Sequence, residues 1–200
     1  RIVVTMFEWG VALAALLGLF WVIGAYNRLT RLRAAVVDRY GVLDEILTRY
    51  VLWIQGCLPD DIRTDFSTQP APLEPTAPPD QAGPWLRLKA SLDQYLQAIA
   101  QARRRPLDGE AMAALVLAHA TLAAAWAGAM QDQQQSEAEL TERQQLRRAR
   151  LLSQCVPLRD AYNEAVKTYN AAITQFPAWL LARMLRFRPA GNLVRLALES

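Results

Sequence analysis

Histidine occurs once in the 200 residues, as His119, and cysteine only twice, as Cys57 and Cys155. A typical closed zinc site takes four ligands, which one histidine and two distant cysteines cannot make, and a nucleophilic triad would have to use the single histidine with further partners beside it. His119 sits in an alanine-rich stretch without companions and reads as a packed or surface residue. The two thiols fall at apolar helical positions, where a buried cysteine behaves as a small hydrophobe. The nine glycines are scattered, which rules out a phosphate-cradling loop. Asp60 and Asp61 are adjacent carboxylates, read as solvated residues at a helix end or linker. Alternating apolar and polar runs bounded by hairpin turns are also missing, which argues against a sheet. No catalytic residue, cofactor or metal site is assigned, and the chain reads as non-enzymatic.

Charge is equally modest. The 22 basic residues exceed the 19 acidic ones by a formal +3, too little for a nucleic-acid partner. Arg103, Arg104 and Arg105 form the densest basic run, but they end a predicted helix before Pro106, where cations complement the helix dipole.

What the sequence does have is a long greasy start. From Ile2 to Tyr26 the chain is apolar apart from Thr5, Glu8 and glycines, and residues 9 to 26 carry no charge. A hydrocarbon core of ~30 Å needs roughly 20 such residues at ~1.5 Å of rise each. Trp9 lies near one end and Trp21 and Tyr26 near the other, where amphipathic rings settle at headgroup level. A cleaved signal peptide is the competing reading. The run is long for one, lacks a basic leader and shows no Ala-x-Ala site before Tyr26, so residues 1–26 are assigned as an uncleaved transmembrane anchor. Arg28, Arg31, Arg33 and Arg39 follow the span and only Arg1 precedes it, which places the N-terminus outside and the body in the cytoplasm.

No helix breaker separates this span from an amphipathic segment that starts at Asn27, so one helix should both cross the bilayer and enter the folded body. Leu29, Val36, Leu43, Tyr50 and Cys57 recur every seven residues, with Tyr40, Leu47 and Ile54 four further on, as for a seam facing partner helices. Residues 58–84 then hold seven of the eleven prolines and a formal charge of −4, which reads as an exposed acidic linker on which a protein partner could dock. Trp85, Leu88, Leu92, Tyr95 and Ile99 mark a second helix that ends at Pro106. A third, rich in alanine, starts at Asp108 as N-cap and runs through Met130. Residues 131–150 are helix-favouring but nearly polar all round, and read as a solvated extension or connector. Pro157 should kink or interrupt the chain beyond it, and a last long helix should bury Tyr162, Val166, Tyr169, Ile173 and Phe176. The fold class is all-α: a transmembrane helix continuous with a long antiparallel helical bundle over 27–189, then an amphipathic tail over 190–200.

Two stretches carry a resemblance. The segments GAYNRLTRLRAAV from Gly24 and YNEAVKTYNAAITQFPAWLLARMLRFRP from Tyr162 are similar to the LemA family, in which a transmembrane segment leads into a helix opening on a YN pattern. The C-terminal hallmark there is a doubled YN followed by FP, LL and F-x-P. The matching positions are Tyr26, Asn27, Leu29, Tyr162, Asn163, Tyr169, Asn170, Phe176, Pro177, Leu180, Leu181, Phe187 and Pro189. About a third of the chain takes part. The family's Pro-Asn-Leu is replaced around Trp53 to Leu58, and the proline-rich insert and alanine-rich helix are further departures. The resemblance implies a bacterial, membrane-anchored helical bundle without a defined reaction, in a family of which one branch is associated with magnetosome membrane formation.

Two features point to association. Gly10, Ala14 and Gly18 lie four apart on one face of the span, a small-residue surface that lets helices approach closely. In the tail, Trp179, Leu180, Leu181, Met184, Leu185 and Phe187 alternate with Arg183, Arg186 and Arg188, the pattern of an interfacial helix, and Leu193, Val194, Leu196 and Leu198 add a second apolar stripe. Folding back to cap the bundle is one use for this surface. Contact with lipid or a neighbouring subunit is preferred, because four apolar helices already fill a bundle. The expected function is a scaffold on the bacterial inner membrane, with lipid and further copies of itself as partners. A channel-like module, with Glu8 at its mouth, and an adaptor recruiting a membrane enzyme through the acidic linker are the alternatives.

Overall fold

The computed structural model describes residues 2–63, 83–134, 137–176 and 178–196, with side chains from residue 8 onward except those of Asp61, Arg63 and Ala138. Most of the acidic linker, Pro177 and Leu198 therefore lie outside the described residues. The helices, in chain order, are α1 (Ile2–Cys57), α2 (Asp60–Arg63), α3 (Pro84–Arg104), α4 (Gly109–Gln134), α5 (Ala138–Thr174) and α6 (Ala178–Met184). There is no strand among the described residues.

α1 is one helix of 56 residues, unbroken where the apolar run meets the amphipathic segment. Up to Gly24 its described side chains are exposed; from Leu29 its seven-residue seam is sealed, with Val36, Leu43, Leu47, Tyr50 and Ile54 fully buried. The change within a single rod follows from the sequence alone, since apolar residues cover every face before Tyr26 and only one face after Asn27. The first part is long and apolar enough to cross a membrane. α4 passes the same test of length and composition, but Met112, Leu115, Leu122 and Trp126 fix it in the core.

α1 packs chiefly on α5, and α3 on α4. Arg148 of α5 reaches Tyr50 of α1, whereas Tyr162 meets Tyr40 edge to face with ring centres 5.8 Å apart, so the two helices run in opposite directions. α3 opens on Pro84, whose missing N–H costs nothing in a first turn, and closes on Arg103 and Arg104. Asp108 caps α4 as expected, its Oδ1 accepting the backbone N–H of Glu110 at 3.0 Å. Arg103 has more than a dipole for company: it forks onto both carboxylate oxygens of Asp44, at 2.9 and 3.2 Å, tying α3 to α1.

The structure sharpens two expectations and overturns one. The polar stretch is helical, as its composition favours: residues 131–134 close α4 and those from Ala138 open α5, but it is not wholly solvated, since Thr141 is buried and Arg148 serves Tyr50. Pro157 lies inside α5 without ending it. Phe176 is 78% exposed, because α5 stops at Thr174 and its period no longer applies two residues later.

Candidate functional site

The buried chemistry of the middle of the bundle is aromatic. His119 is sealed there, with Nδ1 3.3 Å from the hydroxyl of Tyr95 and its ring tilted against those of Tyr50 and Tyr95. Trp53 and Trp126 pack 5.1 Å apart beside them. Burial pushes the phenol of Tyr95 well above its usual range and raises that of Tyr50, which Arg148 partly offsets. Cys57 and Cys155 are both free, and burial pushes each thiol up to about 11. Among the described residues no three His, Cys, Asp or Glu side chains gather to hold a metal ion.

The polar residues of the two YN pairs do something more specific. Tyr162 and Tyr169, and Asn163 and Asn170, are each seven apart on α5, so all four line neighbouring rows of one helix. They grip the main chain of the segment after α6. The carboxamide of Asn170 accepts the N–H of Ala190 at 2.8 Å and donates to its carbonyl at 2.9 Å. Asn163 accepts the N–H of Leu193 at 2.7 Å, and Tyr169 donates to the carbonyl of Arg188 at 3.1 Å. The Tyr162 hydroxyl lies 2.8 Å from the carbonyls of both Pro106 and Gly191, sharing its single proton between them. Arg159 finishes the series on the carbonyl of Leu196 at 2.8 Å. The strap over residues 187–196 has no ladder and only one turn of its own, at 193–196, so these side chains supply hydrogen bonds that its backbone requires.

The strap also fills volume. Ala190, Leu193 and Leu196 are buried against the bundle, so this part of the tail folds back on its own chain, with no helix beyond Met184 among the described residues. For Leu193 and Leu196 the preferred contact with lipid or a neighbouring subunit is corrected to the alternative of folding back on the bundle, while Val194 stays exposed. Gly191 sets the spacing: a Cβ there would stand 2.5 Å from the Cα of Gly109 and 3.3 Å from the carbonyl oxygen of Asp108. The strap thus clasps α5 to the turn between α3 and α4, where the N–H of Gly191 also donates to Leu107 at 3.1 Å.

α6 lies beside the point where α1 changes character. Trp21, Gly24, Ala25 and Arg28 of α1 line one groove with Phe176 and Ala178. Leu181 faces inward, whereas Trp179, Leu180 and Leu185 are exposed, with Met184 75% exposed, and Arg183, Arg186 and Arg188 stand among them in solvent. α6 ends in a Schellman turn: Phe187 donates to Ala182 at 2.9 Å and Arg186 to Arg183 at 3.3 Å. The residue at its left-handed position is Arg186, with φ 56°, where glycine is the usual occupant. An L side chain there costs about 1–2 kcal/mol. Phe187 is half-buried and Pro189 exposed.

The remaining residues singled out in the sequence are unengaged. Gly10, Ala14 and Gly18 are exposed, with open space where a Cβ on either glycine would stand. Tyr26 and Asn27 are exposed, and their side chains make no hydrogen bond among the described residues. The structure therefore brings together the C-terminal YN pairs and leaves the N-terminal pair apart from them. The chain matches no family model, no curated protein and no solved structure.

Proposed function

We propose that this protein is a single-pass, LemA-like scaffold of the bacterial inner membrane, whose antiparallel bundle stands on the cytoplasmic face of the bilayer and whose copies assemble side by side. The carrying observation is that one unbroken helix is naked and apolar up to Gly24 and sealed into the bundle from Leu29, with Phe176 and Ala178, which lead into the apolar surface of α6, lining a groove at that transition. In water, so much contiguous apolar surface would be unfavourable by roughly 25 cal/mol per Å². In lipid it is solvated. The arginines at 28, 31 and 33 support the orientation, and the similarity of the two ends to LemA supports the anchored-bundle reading.

Assembly is supported by the open face of Gly10, Ala14 and Gly18. The test is mass measurement of the full chain in detergent and in nanodiscs. The proposal expects a defined multiple of 22.4 kDa. Monomer alone at working concentrations would reject assembly, and recovery of the intact chain as a soluble species would reject the anchor.

A further inference from the structure

We propose that a cleft between α1, the α3–α4 turn and the end of α6 binds the phosphate of an anionic phospholipid headgroup. The inference rests on the reading that the bundle stands on a bilayer.

The cleft encloses about 450 Å³ and gathers five arginines from three separate stretches of chain: Arg33, Arg104, Arg105, Arg186 and Arg188. Its one acidic neighbour, Asp108, is already engaged, with Oδ1 on the N–H of Glu110 and Oδ2 3.7 Å from Arg105. Among the described residues Arg33, Arg104, Arg186 and Arg188 have no carboxylate partner. Other arginines of this protein find one, as Arg103 does on Asp44 and Arg159 on Asp160. Four of the five charges converge here without a counter-ion, and an anion with several acceptor oxygens would suit them, since the planar guanidinium fork matches such a group.

Position selects the source of that anion. Arg33 lies seven residues beyond Tyr26, about 10 Å along the helix axis, which is a few ångströms past a headgroup layer roughly 5–8 Å deep and within the reach of a long arginine side chain bending back to it. Arg186 and Arg188 come directly after the exposed Met184 and Leu185, so the cleft's arginines follow an exposed apolar surface in the chain. Arg186 adds an independent sign. Its backbone occupies the left-handed conformation at the end of α6, where glycine would be unstrained, and an unfavourable residue kept in such a place points to use of its side chain. The acidic linker is a poor occupant, because it joins α1 at Cys57, at the opposite end of the bundle from Arg33.

Full-length protein in nanodiscs of phosphatidylcholine with a minor fraction of phosphatidylglycerol provides the test, read by native mass spectrometry of the lipid retained on release. Wild type should keep phosphatidylglycerol in preference to phosphatidylcholine. Arg33→Gln and Arg104→Gln should each lower that preference by about fivefold. Arg147→Gln with Arg150→Gln, exposed on the far part of α5, should leave it unchanged. Arg186→Gly separates the site from the fold: it should raise the melting temperature while lowering phosphatidylglycerol retention. Equal retention of the two lipids, or retention indifferent to the cleft arginines, overturns the proposal. So does displacement of phosphatidylglycerol by millimolar inorganic phosphate, which would assign the cleft to a soluble anion. Co-elution with the disc is scored separately, and failure there overturns the anchor and this proposal with it.

Discussion

Asn170 and Ala190 are joined by two hydrogen bonds in opposite senses, N–H to Oδ1 at 2.8 Å and Nδ2 to carbonyl at 2.9 Å, so that one side chain serves both polar groups of a residue 20 positions away. Asn170→Ala would leave a buried N–H and C=O without partners. The expected loss is about 2–4 kcal/mol, from about 1–3 for each stranded group less what water recovers. Urea unfolding measures it. Asn163→Ala, which strands one N–H, should cost roughly half as much.

Gly191→Ala acts through volume. Its Cβ would meet the backbone of Gly109 at 2.5 Å, and main chain cannot swing aside as a side chain does. A loss of about 1–3 kcal/mol is expected from the forced displacement. Hydrogen exchange should show the amide of Gly191, bonded to Leu107, opening first.

Alkali should weaken the bundle. The thiols of Cys57 and Cys155 are raised from an ordinary 9.0 to about 11 by burial, and Tyr50, Tyr95 and Tyr162 shift in the same direction. A raised folded value means that the folded protein holds these protons more tightly than the unfolded chain. The stabilisation is complete below pH 9 and is lost as pH rises toward 11. Melting temperature should therefore fall steadily across that window. Alkylation of both thiols at pH 8 should be about a hundredfold slower than in denaturant, before any steric protection.

Gly18→Ile tests the small-residue face without touching the fold, since nothing lies within 4 Å of the position and the bundle begins at Leu29. Melting of the bundle should be unchanged. The particle mass in nanodiscs should fall if this face joins copies, and an unchanged mass would remove Gly10, Ala14 and Gly18 from the assembly surface.

How far the sequence could be read depended on the range of the interactions. The seam from Leu29 to Ile54 and the cap at Asp108 are local consequences of period and residue type, and they stand where the spacing put them. The tyrosines at 162 and 169 could be read as buried, and their hydroxyls as meeting polar groups, but their acceptors lie on a strap with no periodicity to announce it. The strap reads as more amphipathic surface because Leu193 and Leu196 look the same in sequence whether they face lipid or their own bundle. The arginine cleft is invisible for a related reason. Arg33 reads as a topology signal, Arg104 and Arg105 as helix-end cations, and Arg186 and Arg188 as interfacial charges; only the fold brings them to one place.

The central claim is that α1 lies in lipid up to Tyr26, with α6 at the surface beside it. Spin labels at Leu17→Cys, Met184→Cys and Arg143→Cys, each in a chain with Cys57→Ser and Cys155→Ala, report depth by their relative access to oxygen and to a water-soluble relaxing agent. The expected order in bilayers is position 17 deep in hydrocarbon, 184 at headgroup level and 143 in water. Position 17 as accessible to the aqueous agent as 143 would contradict the anchor, and 184 indistinguishable from 143 would remove α6 from the membrane surface.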